Sequence, residues 1–468
     1  MAMKGRSTEK QADLWIATSE LARSPGHPFY ERLNKILAEA GFDRFVEERC
    51  ARFYAEGKGR PSIPPGVYMR MLFIGFFEGI DSERGIAWRC ADSLSLRSFL
   101  GYGMSERTPE HSSLSRIRQR LDIEVHQEVF TFVLKILAKK GLLKGRAIGV
   151  DATTLEANAA LRSIVRRDDG TSYQDFLVAL AKQSGIETPT RADIAKLDRK
   201  RAKKGSNDDW KHPHDPDAKI TKMKGGRTHL AHKAEHATDL DSGAVMAVVV
   251  ADATAGDCTT LKATMVATAT QLKSVVTDES CREHVDPRAL TTWIADKGYH
   301  SNSTMKMAAE LELKTYIAEP NRGRRRWEEQ PEARRGTYAN RRRLRSKRGH
   351  EWMRKRGEMI ERSFAHCLET GGMRRVHLRG RENILKRYCV HVAGFNLSLV
   401  MRQLIGFGTP RGLQGRLVEI CALLRLWITW LARFLGAGAS ELDARSTLNS
   451  ELIEPGARHE SMAFSTGC

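Results

Sequence analysis

The sequence predicts an α/β fold, a mixed sheet flanked by helices and preceded by an all-α segment. Three observations carry that expectation. Residues 25–140 repeat their apolar positions at helical spacing, the pattern changes period at Gly145, and from there the order is strand, hairpin, helix, strand, helix, strand. A chain of 468 residues exceeds what one core usually holds, about 250 to 300 residues. It divides into a helical unit at 1–140, an α/β unit at 141–408, a further helix at 409–436 and a disordered tail at 437–468.

In the first unit, FYERLNKILAEAG and GVYMRMLFIGFFEG have helix length. Between them GRPSIPPG, with Pro61, Pro64 and Pro65, forces a break, and Gly66 precedes the next helix. Met71 to Phe77 is apolar all round, the pattern of a helix at a domain's centre. In SERTPEHSSLSRIRQRL, Ser112 or Ser113 is placed to cap a helix whose Arg116, Arg118 and Arg120 lie on several faces. These arginines are either phosphate contacts beside a helix-turn-helix-like unit or solvated surface.

RAIGVDATTLEA then reads as a short buried strand, and 161–226 as a polar insertion with no clear core of its own. RTHLAHKAEHATDL and AVMAVVVADAT form an antiparallel hairpin that turns at Asp241-Ser242-Gly243. Asp257 starts a helix, TTWIAD is a strand, Asn302 to Glu312 a helix and LKTYIAEP a strand. After a basic insertion at 321–350, helices run from about Arg348 to Thr370 and from Arg381 to Ile405.

Lys and Arg number 77 against 57 Asp and Glu, a formal charge of +20, which points to a polyanionic partner, nucleic acid before a membrane surface. The excess is focal, since residues 321–380 hold +12 of it. An apolar fraction of 41% is that of a chain able to bury a core. The eight cysteines are scattered with no C-x-x-C, which reads as reduced thiols in a cytoplasmic protein. MAMKGRSTEKQADLW lacks the apolar run of a signal peptide. The densest apolar span, Leu417 to Leu435, is interrupted by Glu419, Arg425 and Arg433. A charge at the bilayer centre costs at least about 2.5 kcal/mol, so a packed or amphipathic helix is expected there and no membrane partner.

Three acids stand out by location: Asp151 inside an apolar strand, Asp296 at the end of TTWIAD, and one on the helix after the basic run. A lone Asp among apolar residues is costly to desolvate unless hydrogen bonds or a metal ion compensate, and each acid taken alone can be structural. On the helix, Ile360, Phe364, Cys367 and Leu368 form an apolar stripe. Glu361 lies at its edge, whereas Glu358 points away and suits an ion pair with Arg354 or Arg362. Carboxylates converging on divalent cations beside a phosphate-binding surface are what two-metal phosphoryl transfer requires. Convergence is a matter for the fold.

GVDATTLEANA, then ADKGYHS after a strand, then RGEMIERSFAH on a helix resemble, in that order, the catalytic domain of bacterial insertion-sequence transposases of the DDE type. GRPSIPPGVYMRMLFIGFFEGIDSERGIAWRCADSLSLRSFL is similar to the helical domain that precedes it in one large group of them, so the resemblance spans about 45–408. It implies a ribonuclease-H-like sheet with Asp151 on the central strand, Asp296 just after the fourth strand and Glu361 on a later helix as the catalytic and metal-binding acids. It also implies two Mg²⁺ ions, with Mn²⁺ as a substitute, and double-stranded DNA as partner, both terminal inverted repeats and target. The implied reaction is cleavage at the element's ends followed by attack of the freed 3′-hydroxyl on target DNA, by a homodimer on DNA at the nucleoid. One signature differs. Many relatives place arginine four before and lysine seven after the Glu; here these positions hold Gly357 and Leu368, with Arg356 and Arg362 as nearby positive charges.

Further contacts to DNA are expected from the basic insertion, with Arg324, Arg325, Arg326, Arg341, Arg342 and Arg343 as candidates. Lys297 and Tyr299, just beyond Asp296, are placed either to hold a phosphate and stack a base or sugar, or as plain surface. Trp327, Tyr338 and Trp352 either stack on DNA or anchor the insertion. His229, His232 and His236 have metal-like spacing, but on a strand the last two stand roughly 13 Å apart, too far to share an ion. Two rival readings use the same residues: a ribonuclease-H-like nuclease without strand joining, and a catalytically decayed DNA-binding protein.

Overall fold

The computed structural model describes residues 26–55, 62–201, 205–223, 225–321, 323, 325, 327–413 and 427. Among them, helices α1 (Pro28–Glu39), α2 (Phe42–Cys50), α3 (Pro65–Glu78), α4 (Glu83–Asp92), α5 (Leu94–Leu100), α6 (His111–Arg120) and α7 (Ile123–Lys139) precede the first strand. Every residue of α3 from Gly66 to Phe77 is buried, as its all-round apolar run predicts. Pro65 opens α3, where a missing N–H costs nothing, so Gly66 lies inside the helix and not ahead of it. A Cβ at Gly66 would overlap the Asp43 carboxylate, which Arg70 holds at 3.0 and 2.7 Å. Helix α6 starts at His111, earlier than expected, so Glu110 occupies the cap position and neither Ser112 nor Ser113 serves there.

The α/β portion runs β1 (Ala147–Ala157), β2 (Val165–Arg166), α8 (Tyr173–Gln183), α9 (Arg191–Lys200), β3 (Trp210–Lys211), β4 (Lys219–Lys222), β5 (Thr228–Asp239), β6 (Val245–Asp252) and α10 (Asp257–Val276). It continues through α11 (Glu279–Arg282), β7 (Thr292–Ala295), α12 (Asn302–Glu310), β8 (Lys314–Ile317), α13 (Pro331–Leu344), α14 (Lys347–Ala365), β9 (Arg375–Val376) and α15 (Arg381–Ile405). Strand β5 pairs antiparallel with β6 and β1, β1 parallel with β7, and β7 parallel with β8. Strand β4 extends beside the start of β5, and β9 beside the end of β1. The sheet order β6-β5-β1-β7-β8, an antiparallel meander followed by two parallel strands added through helical connections, is the ribonuclease-H-like topology that the resemblance implies.

The insertion at 161–226 departs from expectation by having a core. Ile164, Trp210, Ala218 and Leu230 pack together, and the rings of Tyr173 and Phe176 meet Trp210 edge-on at 5.1 and 5.3 Å. These apolar residues are far apart in sequence and follow no period, so no window reveals them.

Both edges of the main sheet are closed by a buried asparagine. Asn340 of α13 accepts from Ile317 N at 2.9 Å and donates to Ile317 O at 2.8 Å. Asn396 of α15 does the same to Val245 of β6, at 2.9 and 2.8 Å. A side-chain amide thus stands in for one residue of a further strand and blunts the edge. Helix α15 is buried from Lys386 to Met401 and packs against β6, α3 and α7. Its Arg387 donates to Leu72 O and Ile80 O, both at 3.2 Å. The described residues up to Pro410 form one compact unit. Among the described residues no helix is long and apolar enough to cross a membrane. The helix expected over Leu417 to Leu435, apart from Trp427, and the tail at 437–468 lie outside the described residues.

Candidate active site

The register of β1 against β7 pairs Val150 with Ala295, so the next residue on each strand is an aspartate. Asp151 and Asp296 therefore stand side by side on neighbouring parallel strands. Strand β7 ends at Ala295, and Asp296 turns the chain into a single 3-10 turn, Lys297–Tyr299, by accepting from Lys297 N at 2.7 Å. Asp296 is exposed. Asp151 is half-buried: one carboxylate oxygen accepts from Ala152 N at 2.8 Å and the other from Arg356 Nη2 at 3.0 Å.

Arg356 lies on the buried stripe of α14, with Gly349, Trp352, Ile360 and Ser363. Ile360 fills the space over Gly149, where a Cβ would press on Ile360 and Leu240. Ser363 meets His236 Nδ1 at 2.9 Å, and His236 is the β5 partner of Asp151. The C-terminal half of α14 thus crosses the sheet at the level of Asp151. Glu361 sits at that level but is exposed, being five residues on from Arg356 and about 140° around the helix. The stripe read from Ile360, Phe364, Cys367 and Leu368 faces inward, with Ile360, Cys367 and Leu368 buried and Phe364 stacked on His236 at 4.2 Å, and a π turn at His366–Thr370 follows α14. Asp151 and Asp296 are neighbours by register and Glu361 is exposed on α14; among the described residues no group of three or more His, Cys, Asp or Glu side chains is placed to hold one ion. Glu358 pairs with Arg362 at 2.8 Å, as the i, i+4 spacing predicts.

Several residues expected to meet DNA have other partners. Tyr299 is fully buried and donates to Glu235 Oε1 at 2.7 Å, which removes its ring from any base; burial beside that carboxylate raises the phenol's pKa. Arg118 is buried in an ion pair with Glu83 at 2.9 Å, and Arg356 is spent on Asp151. Arg325 and Arg341 both bind Glu319, at 2.8 and 2.6 Å, and hold its carboxyl down to about 2. Arg343 donates to Thr315 O at 2.9 Å. Arg120 lies over the Tyr54 ring at 4.8 Å. Arg116, Lys297 and Arg342 are exposed, as is Arg362 beside Glu358. Arg324 and Arg326 lie outside the described residues. Trp352 is buried against Ala147, Leu240, Ile294 and Tyr316, and Trp327 lies under Arg325 at 4.1 Å within the insertion. His232 is buried against Asp215 at 3.2 Å, and His236 bridges Ser363 and the Tyr388 hydroxyl at 2.8 Å. These are internal roles, as the strand spacing requires.

Sequence reasoning missed a polar cluster on the other face of the sheet. Glu235, opposite Ala152 on β1, is 1% exposed and accepts from Tyr299, from Thr260 Oγ1 at 2.7 Å and from Thr264. Lys233 Nζ lies 3.4 Å from Glu235 and 2.7 Å from Asp257. The signal was present, for Lys233 and Glu235 are charged residues at alternate positions of a strand that is buried from Leu230 to Asp239.

A strand-borne aspartate beside a strand-end aspartate on this sheet defines the chain as a ribonuclease-H-like protein preceded by a helical region. Two family profiles match it, the Transposase domain (DUF772) over residues 19–120 and the Transposase DDE domain over residues 207–393. Together they span more than half of the chain, which belongs to the insertion-sequence transposases of the DDE type. Such transposases act on DNA and generally use divalent metal ions. Asp296 and Glu361 fall within the second match, and Asp151 lies ahead of it. No curated protein and no solved structure matches the chain.

Proposed function

We propose that this transposase cleaves DNA at the ends of its insertion sequence and joins the freed 3′-hydroxyl to target DNA, with Asp151, Asp296 and Glu361 as its catalytic and metal-binding acids. The observation that carries the reading is the β1–β7 register, which sets two carboxylates side by side at the open end of the parallel strands. Such a pair fits Mg²⁺, which takes one or two protein carboxylates and fills its remaining positions with water and phosphate oxygens. Mn²⁺ fits the same oxygen donors. When bound, the ions would lower the pKa of the attacking water or 3′-hydroxyl and neutralise the leaving oxygen. Asp151 and Asp296 would hold the cation. Glu361 is the third acid by its place on α14 at the level of Asp151.

The DNA track in this reading is the outer face of α13. Arg334, Arg335, Tyr338, Arg342 and Arg345 are exposed there, while Ala333, Gly336, Thr337 and Asn340 are buried on the opposite side. Helix α13 runs antiparallel to β8, since Asn340 meets Ile317 and Arg343 meets Thr315. Its N-terminal end therefore projects past the strand ends toward Asp296. From Arg334 to Arg345 the face is about 16 Å long, close to five base pairs. Arg116 and Lys297 are further exposed basic residues that this reading assigns to DNA. Two ends must be cut, which calls for two active sites and a homodimer on DNA at the nucleoid.

The test is purified protein with Mg²⁺ and duplex DNA carrying the inverted repeats that flank its reading frame. End-specific nicks and joined products are expected. Asp151→Asn or Asp296→Asn should lower cleavage on the order of a thousandfold, about 4 kcal/mol, with DNA binding retained. Nicks without joined product would favour a nuclease, and no end-specific nick would refute the proposal.

A further inference from the structure

The Asp296 turn is held from behind at three points. Tyr299, its last residue, reaches through the sheet's opposite layer to Glu235. Gly298 lies so close to Asp257 that a Cβ would overlap the carboxylate, and Cys258 Sγ donates to Gly298 O at 3.0 Å. Both contacts come from the first turn of α10. Lys233 ties them into one cluster: its ammonium donates to Asp257 Oδ1 at 2.7 Å, Thr260 Oγ1 at 2.9 Å and Ala255 O at 3.2 Å, with Glu235 at 3.4 Å.

This cluster touches both acid-bearing strands. Glu235 stands opposite Ala152, the neighbour of Asp151 on β1, while Tyr299 ends the turn that begins at Asp296. Side chains on adjacent residues of a strand point to opposite faces, so Glu235 lies behind β1 while Asp151 lies in front. A buried carboxylate without partners is costly, and this one receives three hydroxyl donors and one ammonium. Simpler packing would serve stability as well, since replacing buried ion pairs by apolar residues is often neutral.

We infer that Glu235, Tyr299 and Lys233 are positioning residues that fix the separation of Asp151 and Asp296 for a divalent cation. The inference rests on the proposed cation-binding role of those two aspartates. Losing such supporting hydrogen bonds weakens metal binding by about tenfold or more.

The experiment titrates the purified full chain with Mn²⁺ alone, reading free Mn²⁺ by electron paramagnetic resonance, with melting temperature measured in parallel. Tyr299→Phe and Glu235→Gln keep shape and are expected to raise the half-saturating Mn²⁺ concentration about tenfold. Asn396→Ala, which uncaps the distant β6 edge, is expected to lower the melting temperature and leave Mn²⁺ binding as in the parent. Parental Mn²⁺ binding in both cluster variants, with binding in the parent lost in Asp151→Asn, overturns this inference alone. A parent that binds no Mn²⁺, or binds it equally after Asp151→Asn and Asp296→Asn, overturns the inference together with the cation-binding role. Weaker binding in Asn396→Ala equal to that in the cluster variants also overturns it, because the loss would then track stability.

Discussion

At the residue scale, Arg356 donates to Asp151 Oδ2, an oxygen available to a cation in the role proposed for Asp151. Arg356 and the ion would then compete for that carboxylate, so Arg356→Gln is expected to tighten Mn²⁺ binding, measured by the same titration. Three buried histidines give the protein a pH dependence whose sign follows from burial. Desolvation holds His236 and His391 down to about 3 and His126 to about 4, below the ordinary 6.5. Each is neutral in the fold and takes up a proton more readily when unfolded. Their contribution is complete above pH 6.5 and is lost as pH falls toward the folded values, at roughly 1 kcal/mol per pH unit each. The melting temperature should drop between pH 7 and pH 5, and His236→Gln should flatten that slope.

At the element scale, two buried asparagines terminate the sheet. Asn340→Ala would leave Ile317 N–H and C=O without partners at a buried edge, at a cost of about 1 to 3 kcal/mol for each group, seen as a lower urea midpoint. A Cβ at Gly336 would overlap Met305 O, which lets α13 approach α12 closely. That approach is what turns the arginine face of α13 outward. Apolar periodicity in the sequence locates these elements well: α3, the β5–β6 hairpin, the start of α10 at Asp257 and α15 all stand where the pattern places them. It fails where contacts are long-range, as at Trp210 in the insertion.

At the scale of the whole molecule, the charge of +20 is divided by structure into internal and external parts. Arg325, Arg341, Arg343 and Arg356 are engaged with protein groups, while the α13 face keeps its arginines in solvent. Replacing Arg334, Arg335, Arg342 and Arg345 together by Gln should reduce the slope of log affinity for duplex DNA against log salt by about 3 to 4, at roughly 0.9 per phosphate contact. Arg325→Gln should leave the slope unchanged. Helix α15 couples the sheet to the N-terminal helices through Arg387 and its buried length. A chain ending at Gly380 is therefore expected to lose helical structure before residue 140 as well, detectable by circular dichroism and by proteolysis.

The order of elements, the two aspartates at strand positions and the identity of the family were determined by the sequence alone, because period, turn chemistry and local motifs are properties of neighbouring residues. Only the tertiary structure decided which charges face solvent. It placed Tyr299 and Arg118 inside, left Glu361 exposed, and gathered Lys233, Glu235, Asp257 and Tyr299 behind the aspartate pair. Burial depends on what packs from elsewhere in the chain, and a register between strands separated by more than a hundred residues is written in no single segment.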